Sequence, residues 1–271
     1  MNSTGRLRIG AVNYLNTKPL VYGLRRFAPN VELTFDFPSR LADDLATGRL
    51  DVALIPSVEF FLDPTYSIVS DACIACRGPV LSVKLFCRKP FDDIRTLALD
   101  DGSRTSVALT RILLKERFGL EPKLERLPVD ASIEATQADA VLLIGDRAMH
   151  SPPGQFAAVW DLGDEWCRWS ELPFVFAMWT ARAGVELGDL EAALEAARDA
   201  GVDHLDEIAD GEAAPLGLTR PQCLSYLRDN LHFYLGPREQ RGLELFYDRA
   251  VSMGLARAGV DFGFSHSANS R

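Results

Sequence analysis

The chain of 271 residues is 47% hydrophobic and 25% charged, with a formal net charge of -9. That is ordinary globular usage, long enough for two lobes that each bury a core. The acidic balance, without any run of Lys or Arg, argues against nucleic acid or an anionic membrane as the main partner, but leaves room for a small anion in a local amide-lined pocket. No stretch approaches the roughly 20 apolar residues of a membrane span. The five cysteines are odd in number and unevenly spaced, and residues 1–8 lead into Asn13, Asn16 and Lys18 rather than an apolar signal core. Reduced thiols and a cytoplasmic location are the expectation.

In chain order, residues 7–12 read as a strand, and Pro19 suits the first turn of a helix over 20–27. A second strand is expected over 31–37, with Ser39 as the N-cap of a helix over 40–47 that Gly48 closes, and a short buried strand over 52–55. This β-α-β-α-β order predicts a parallel sheet with helices on its faces. Strands follow over 68–75 and 80–88, then the pattern restarts. Residues 96–99 form a strand, 106–118 a helix, and 123–127, 140–144 and 172–180 further strands. From residue 187 the reading is almost wholly helical, over 189–208, 221–234 and 237–255, before a frayed tail at 265–271. The fold class is therefore α/β with two lobes, the first from residues 1–88 and 175–271 and the second from 89–174, crossed by the runs 80–88 and 172–180. A ligand cleft between the lobes is expected.

Polar clusters fall where strands hand over to helices: N-Y-L-N-T, I-P-S-V-E, D-G-S-R-T-S and I-G-D, ending at Thr17, Glu59, Ser106 and Asp146. In open α/β sheets ligands bind beyond the carboxyl ends of strands, where helix N-termini offer free N–H groups and positive dipole ends. Asn16, Ser57, Thr105 and Ser106 add oriented donors, an arrangement suited to a small molecule with two carboxylates. Taken singly, Asn16, Ser57 and Ser103 also suit plain helix caps, and Asp100 or Asp101 suits turn chemistry before Gly102. The functional reading rests on the convergence of the corners.

Other patterns carry less. Cys73-x-x-Cys76 has no second such pair and no nearby histidine pair, and its apolar neighbours point to strand thiols rather than metal. His150, His204, His232 and His266 are scattered, with His232 expected to pack on a helix beside Phe233. Neither a dinucleotide fingerprint nor a phosphate loop is present. The tryptophans 160, 166, 169 and 179 suit core or lobe contacts. Glu191, Glu195 and Arg198 suit a solvated helix face.

The stretches V-N-Y-L-N-T-K-P-L, A-L-I-P-S-V-E, S-D-A-C-I-A-C-R-G-P-V-L-S-V-K-L-F, I-R-T-L-A-L-D-D-G-S-R-T-S, V-L-L-I-G-D-R-A-M, D-L-G-D-E-W and L-P-F-V-F-A-M-W resemble the chorismate dehydratases of the futalosine route to menaquinone. The resemblance covers nearly the whole chain. One departure is Ser170-Glu171, where relatives usually carry Thr-Gly; it is expected to alter a turn and not the chemistry. The resemblance implies a type II periplasmic-binding-protein-like fold, with no cofactor or metal. It also implies a reaction that removes water from chorismate to give the aromatic 3-[(1-carboxyvinyl)oxy]benzoate. Aromatisation supplies driving force, so the enzyme's task is to hold one conformer, grip both carboxylates and help hydroxide depart. Asn16 is then the residue nearest the chemistry. Tyr14, Ser57, Ser82, Ser103, Thr105, Ser106, Gly145 and Asp146 are the expected substrate contacts. A substrate carboxylate is the expected proton acceptor, with Asp146 and then Glu59 as alternatives. A related lyase of the same pathway relies on a histidine after its second-lobe strand, where this chain has Ile144-Gly145-Asp146. That lyase and a non-catalytic binder of small anions are the competing readings.

Overall fold

The computed structural model describes residues 6–129, 131–150, 152 and 154–264. It begins with β1 (Leu7–Val12), whose last four residues are buried, as befits a strand covered on both faces. A 3-10 turn (Leu15–Val21), α1 (Leu24–Phe27), β2 (Val31–Asp36), α2 (Pro38–Ala46), β3 (Val52–Pro56), α3 (Ser57–Phe60) and β4 (Ser67–Cys76) complete the first pass. Next come β5 (Val83–Cys87), β6 (Thr96–Asp100), α4 (Arg104–Phe118), β7 (Lys123–Leu127), β8 (Ala140–Ile144), β9 (Ala158–Asp161) and α5 (Leu162–Ser170). The chain returns through β10 (Phe174–Ala181), α6 (Leu190–Asp203), α7 (Leu205–Glu212), α8 (Arg220–Ser225), a π-helical turn (Tyr226–Asn230), β11 (His232–Tyr234) and α9 (Pro237–Ser252).

Among the described residues the strands form a six-stranded sheet, in the order β11-β4-β10-β3-β1-β2, and a five-stranded sheet, β7-β6-β8-β5-β9. In the first, β1 runs parallel to β2 and β3 while β10 is antiparallel to β3 and β4; in the second, β6 is parallel to β7 and β8 while β5 is antiparallel to β8 and β9. The chain passes between sheets twice, through residues 77–82 and through the segment holding α5. By pairing, β5 belongs to the second sheet and β10 to the first, so the 80–88 run ends inside the second lobe rather than in the first. This is the expected two-lobed α/β class.

Several local readings change. Pro19 lies inside the 3-10 turn instead of opening a helix, and α1 starts only after Gly23 takes a left-handed φ of 65°. The helix expected from residue 40 starts at Pro38, with Phe37 as its N-cap and no cap from Ser39. The long helix expected over 189–208 breaks at His204. There the ring Nδ1 pairs with the Ala200 carbonyl at 2.7 Å, and the His204 amide tightens onto Gly201 at 3.2 Å. The helix expected over 221–234 ends early, and His232 and Phe233 join β11 on the edge of β4, where an aromatic run gains more from pairing than from propensity. Strand β9 and helix α5 had no expectation of their own. Arg198 is buried, not solvated, paired with Asp71 at 2.7 Å and Asp199 at 2.6 Å and lying 3.9 Å from the Tyr234 ring centre. Cys73 and Cys76 are strand thiols on β4; three residues apart, they point to opposite faces. Trp160, Trp166 and Trp179 are buried, and Trp169 packs partly buried against the core. The 265–271 tail and His266 lie outside the described residues.

Glu171 caps α5 with a left-handed φ of 59°. A Cβ in that region costs about 1–2 kcal/mol, which a glycine avoids. Glu171→Gly is expected to raise the melting temperature by about 2–4 °C in a thermal scan, and a fall would contradict this account of the turn.

Candidate active site

Strand β1 delivers the chain to the corner between the sheets and stops at Asn13, whose amide donates to the Asp36 carbonyl at 3.0 Å. The 3-10 turn that follows buries Leu15, Thr17, Pro19 and Leu20, which leaves Asn16 half-buried on the opposite side. Helix α6 backs this turn closely: a Cβ on Gly201 would fall 2.1 Å from the Pro19 carbonyl oxygen, so only glycine fits. Asn16 Oδ1 accepts from the Thr17 hydroxyl at 3.3 Å. It is therefore not the helix cap that a plain structural role would make it.

Asn16 faces a small cavity of about 40 Å³ between the lobes, partly open to solvent. Tyr14, Ser82, Ser103, Ser106 and Gly145 share the lining, with Ile74 and Phe176 among its apolar walls. Ser103 is the N-cap of α4, accepting from the Ser106 amide at 3.3 Å, and the two hydroxyls lie 3.0 Å apart. The fifteen-residue α4 thus turns its positive end and two hydroxyls toward the cavity. Gly145, at φ 72°, lies against Tyr14 so closely that a Cβ would come within 2.7 Å of the ring. Among the described residues no Lys or Arg lines the cavity; the donors are hydroxyls, an amide and backbone N–H groups.

Three expected contacts are placed elsewhere. Ser57 donates to the Val175 carbonyl at 2.8 Å and meets Thr105 at 3.3 Å, while the Thr105 hydroxyl accepts from the Val58 amide at 3.1 Å. Both residues are fully buried and tie α4 to the first lobe behind the lining. Asp146 accepts from the Leu15 amide at 3.1 Å, and so bonds the second lobe to the Asn16 turn from outside the cavity. Glu59 pairs with Arg104 at 3.1 Å, and Asp100 accepts from the Gly102 amide at 2.9 Å, as turn chemistry requires. Asn13 is exposed and does not line the cavity.

A family profile described as menaquinone biosynthesis matches residues 7–252. The chain belongs to this family. A chorismate dehydratase of Thermus thermophilus is 33% identical over 267 residues, spanning 91% of this chain and 95% of that protein. Among solved structures, a crystal structure from Archaeoglobus fulgidus is similar with a TM-score of 0.74 at 16% identity, covering 94% of this chain and 100% of that one. The periplasmic aliphatic sulphonate binding protein of Escherichia coli is similar at a TM-score of 0.62 and 17% identity, over 94% of this chain and 95% of that one. These structures place the menaquinone-biosynthesis family member among periplasmic-binding-protein-like folds. Among the described residues no helix is long and apolar enough to cross a membrane.

Sequence reasoning missed Tyr226. Tyr226 opens the π-helical turn, is fully buried, and donates its hydroxyl hydrogen to Ser82 Oγ at 2.9 Å. Burial pushes its pKa up, opposed by Ser82 and by the Asn16 side chain beside it. Its signal, a tyrosine within S-Y-L-R-D-N, is no different from any amphipathic helix. The π turn that aims it forms only in the folded chain.

Burial pushes the Asp146 pKa above 3.8, opposed first by the Leu15 amide. Its ionisation therefore subtracts from stability, by nothing below 3.8 and by more as pH rises through the folded-state value. Asp146→Asn keeps an acceptor for the Leu15 amide without the charge. Urea unfolding is expected to show the variant gaining on the parent between about pH 4 and pH 7. A gap that moves the other way would remove burial as the dominant influence on Asp146.

Proposed function

We propose that this chain is a chorismate dehydratase that acts at the cavity between the lobes, with Asn16 as the residue closest to the reacting atoms. The protein is a hydro-lyase: it removes the ring hydroxyl of chorismate and the hydrogen on the carbon bearing the enol ether, releasing water and 3-[(1-carboxyvinyl)oxy]benzoate. Kinship with a chorismate dehydratase over 91% of the chain is the observation that carries this reading. The neutral donor set around Asn16 supports it.

The chemistry asks little acid–base strength from the protein, because the product ring is aromatic. It asks for orientation and for stabilisation of charge as hydroxide leaves. Ser103, Ser106 and the start of α4 hold one carboxylate, and the Asn16 amide orients the leaving hydroxyl. A carboxylate of the substrate takes the ring proton and passes it to the departing hydroxide. This assignment is favoured by the engagement of both alternative bases: Asp146 accepts the Leu15 amide and Glu59 is paired with Arg104. Five free cysteines fit the reducing cytoplasm as the place of action.

Incubation with chorismate, read by mass spectrometry, is expected to show loss of one water, and an unchanged substrate mass would overturn the reading. Asn16→Ala is expected to lower kcat more than affinity, because an interaction strongest in the transition state is felt in the rate. Asn16→Asp is expected to be worse for binding, since a carboxylate about 4 Å from another costs about 4 kcal/mol at an effective dielectric near 20. A stable, fully active Asn16→Asp enzyme would remove Asn16 from the site.

A further inference from the structure

We propose that Asp161 is a positioning residue for the dehydration, holding Leu81 in a strained turn so that the Ser82 hydroxyl is aimed at the substrate. The inference rests on the proposed chorismate dehydratase reading and names a part of its machinery.

The segment from Val80 to Ser82 is the end of the first passage between lobes, and both flanking residues line the cavity. Leu81 between them has a φ of 62°, one of two non-glycine residues at positive φ among the described residues. The Ser82 amide donates to the Val80 carbonyl at 2.8 Å, which closes a three-residue turn centred on Leu81. A γ-turn with positive φ at its centre is the rare, strained hand, and a leucine adopts it only when its surroundings impose it.

Asp161 imposes it. This last residue of β9 lies across from Lys84 in the β5–β9 pairing, so its carboxylate reaches the segment just ahead of β5. Oδ2 accepts from the Leu81 amide at 2.6 Å and Oδ1 from the Val80 amide at 2.9 Å. Oδ1 also caps α5, accepting from the Gly163 amide at 3.1 Å and the Asp164 amide at 3.2 Å. One carboxylate thus fastens the strained turn to the start of a helix. Asp161 does not itself line the cavity.

The result is felt at Ser82. Its Oγ accepts the Tyr226 hydroxyl hydrogen at 2.9 Å, so its own proton is free to be donated elsewhere, and the cavity lies on that side. A hydroxyl that accepts one hydrogen bond is a better donor of the next. Tyr226 to Ser82 to substrate is then a directed chain, and it points correctly only while Leu81 stays in its turn.

The two oxygens of Asp161 have separable tasks, which makes the test clean. Asp161→Asn keeps an acceptor oxygen for Val80 and the α5 cap but sets an NH2 group against the Leu81 amide, and asparagine caps helices about as well as aspartate. The variant is expected to keep a melting temperature close to wild type while kcat/KM for chorismate falls about tenfold to a hundredfold, the scale of a misplaced contact group. Ser82→Ala is expected to cost a similar factor, and the double variant no more than the worse single one, because both remove one interaction. Adding Leu81→Gly to Asp161→Asn is expected to recover part of the activity, since glycine adopts the turn unaided. Wild-type kcat/KM in Asp161→Asn, or losses at 161 and 82 that multiply in full, would overturn the positioning role while leaving the dehydratase reading intact. A wild-type protein inert towards chorismate would overturn both. Should the asparagine variant fail to accumulate, Asp161→Ser, which keeps a cap oxygen and loses the second acceptor, decides by the same outcomes.

Discussion

The hydrogen bond from the Leu15 amide to Asp146 is the constraint through which two separate sheets come to enclose one cavity. It joins the corner after β1 to the corner after β8, at the point where both strands end. Tyr14 packs on Gly145 beside it, and the Ser39 amide donates to the Gly102 carbonyl at 3.2 Å farther along the same seam. A partly buried carboxylate is costly, and the cost is moderated because Asp146 accepts an amide hydrogen and feels the nearby positive charge of Lys18. Its position outside the lining keeps that negative charge off the wall that would face a dicarboxylate. The seam is therefore electrostatically one-sided: carboxylates and their cations stay behind it, and neutral donors face in.

That division explains why the lining holds no guanidinium or ammonium among its described residues. Arg104, the first residue of α4, turns to Glu59 and Asp43 at 3.1 and 2.9 Å, and Lys18 pairs with Glu212 at 2.9 Å. On the proposed reading, anion affinity is left to hydroxyls, the Asn16 amide and the start of α4, which cost little reorganisation because each is already held. Ser103 and Ser106 are tied to one another, Asn16 to Thr17, and Ser82 to Tyr226.

The fold was legible because its signals are local. Buried β-branched and leucine runs marked β3, β6 and β8, and turn residues marked the corners after them. What escaped depends on contacts between segments far apart in the chain. Strand β11 is three residues long and exists only because β4 offers an edge. Tyr226 reaches Ser82 across 144 residues of sequence, and nothing near either residue announces the other. Ser57 and Thr105 show the converse. Both stand at the right corners, but neighbouring strand ends face one another as well as the ligand, and these two hydroxyls meet between the lobes instead. A polar corner tells where a site is; which of its side chains turns inward is set by packing.

The fold alone does not separate a binder from an enzyme, as similarity to a periplasmic aliphatic sulphonate binding protein makes plain. On the proposed reading the distinction lies in how the enclosed donors are held. A binder gains by gripping its ligand in the ground state, whereas a dehydratase gains only from contacts that strengthen as the hydroxyl leaves. Donors already polarised by a neighbour, such as Ser82 receiving the Tyr226 hydrogen, respond most to charge that grows during the reaction. The strained Leu81 turn is a cost that ground-state binding does not need. Its place between two residues of the cavity wall suits a site built around a changing charge.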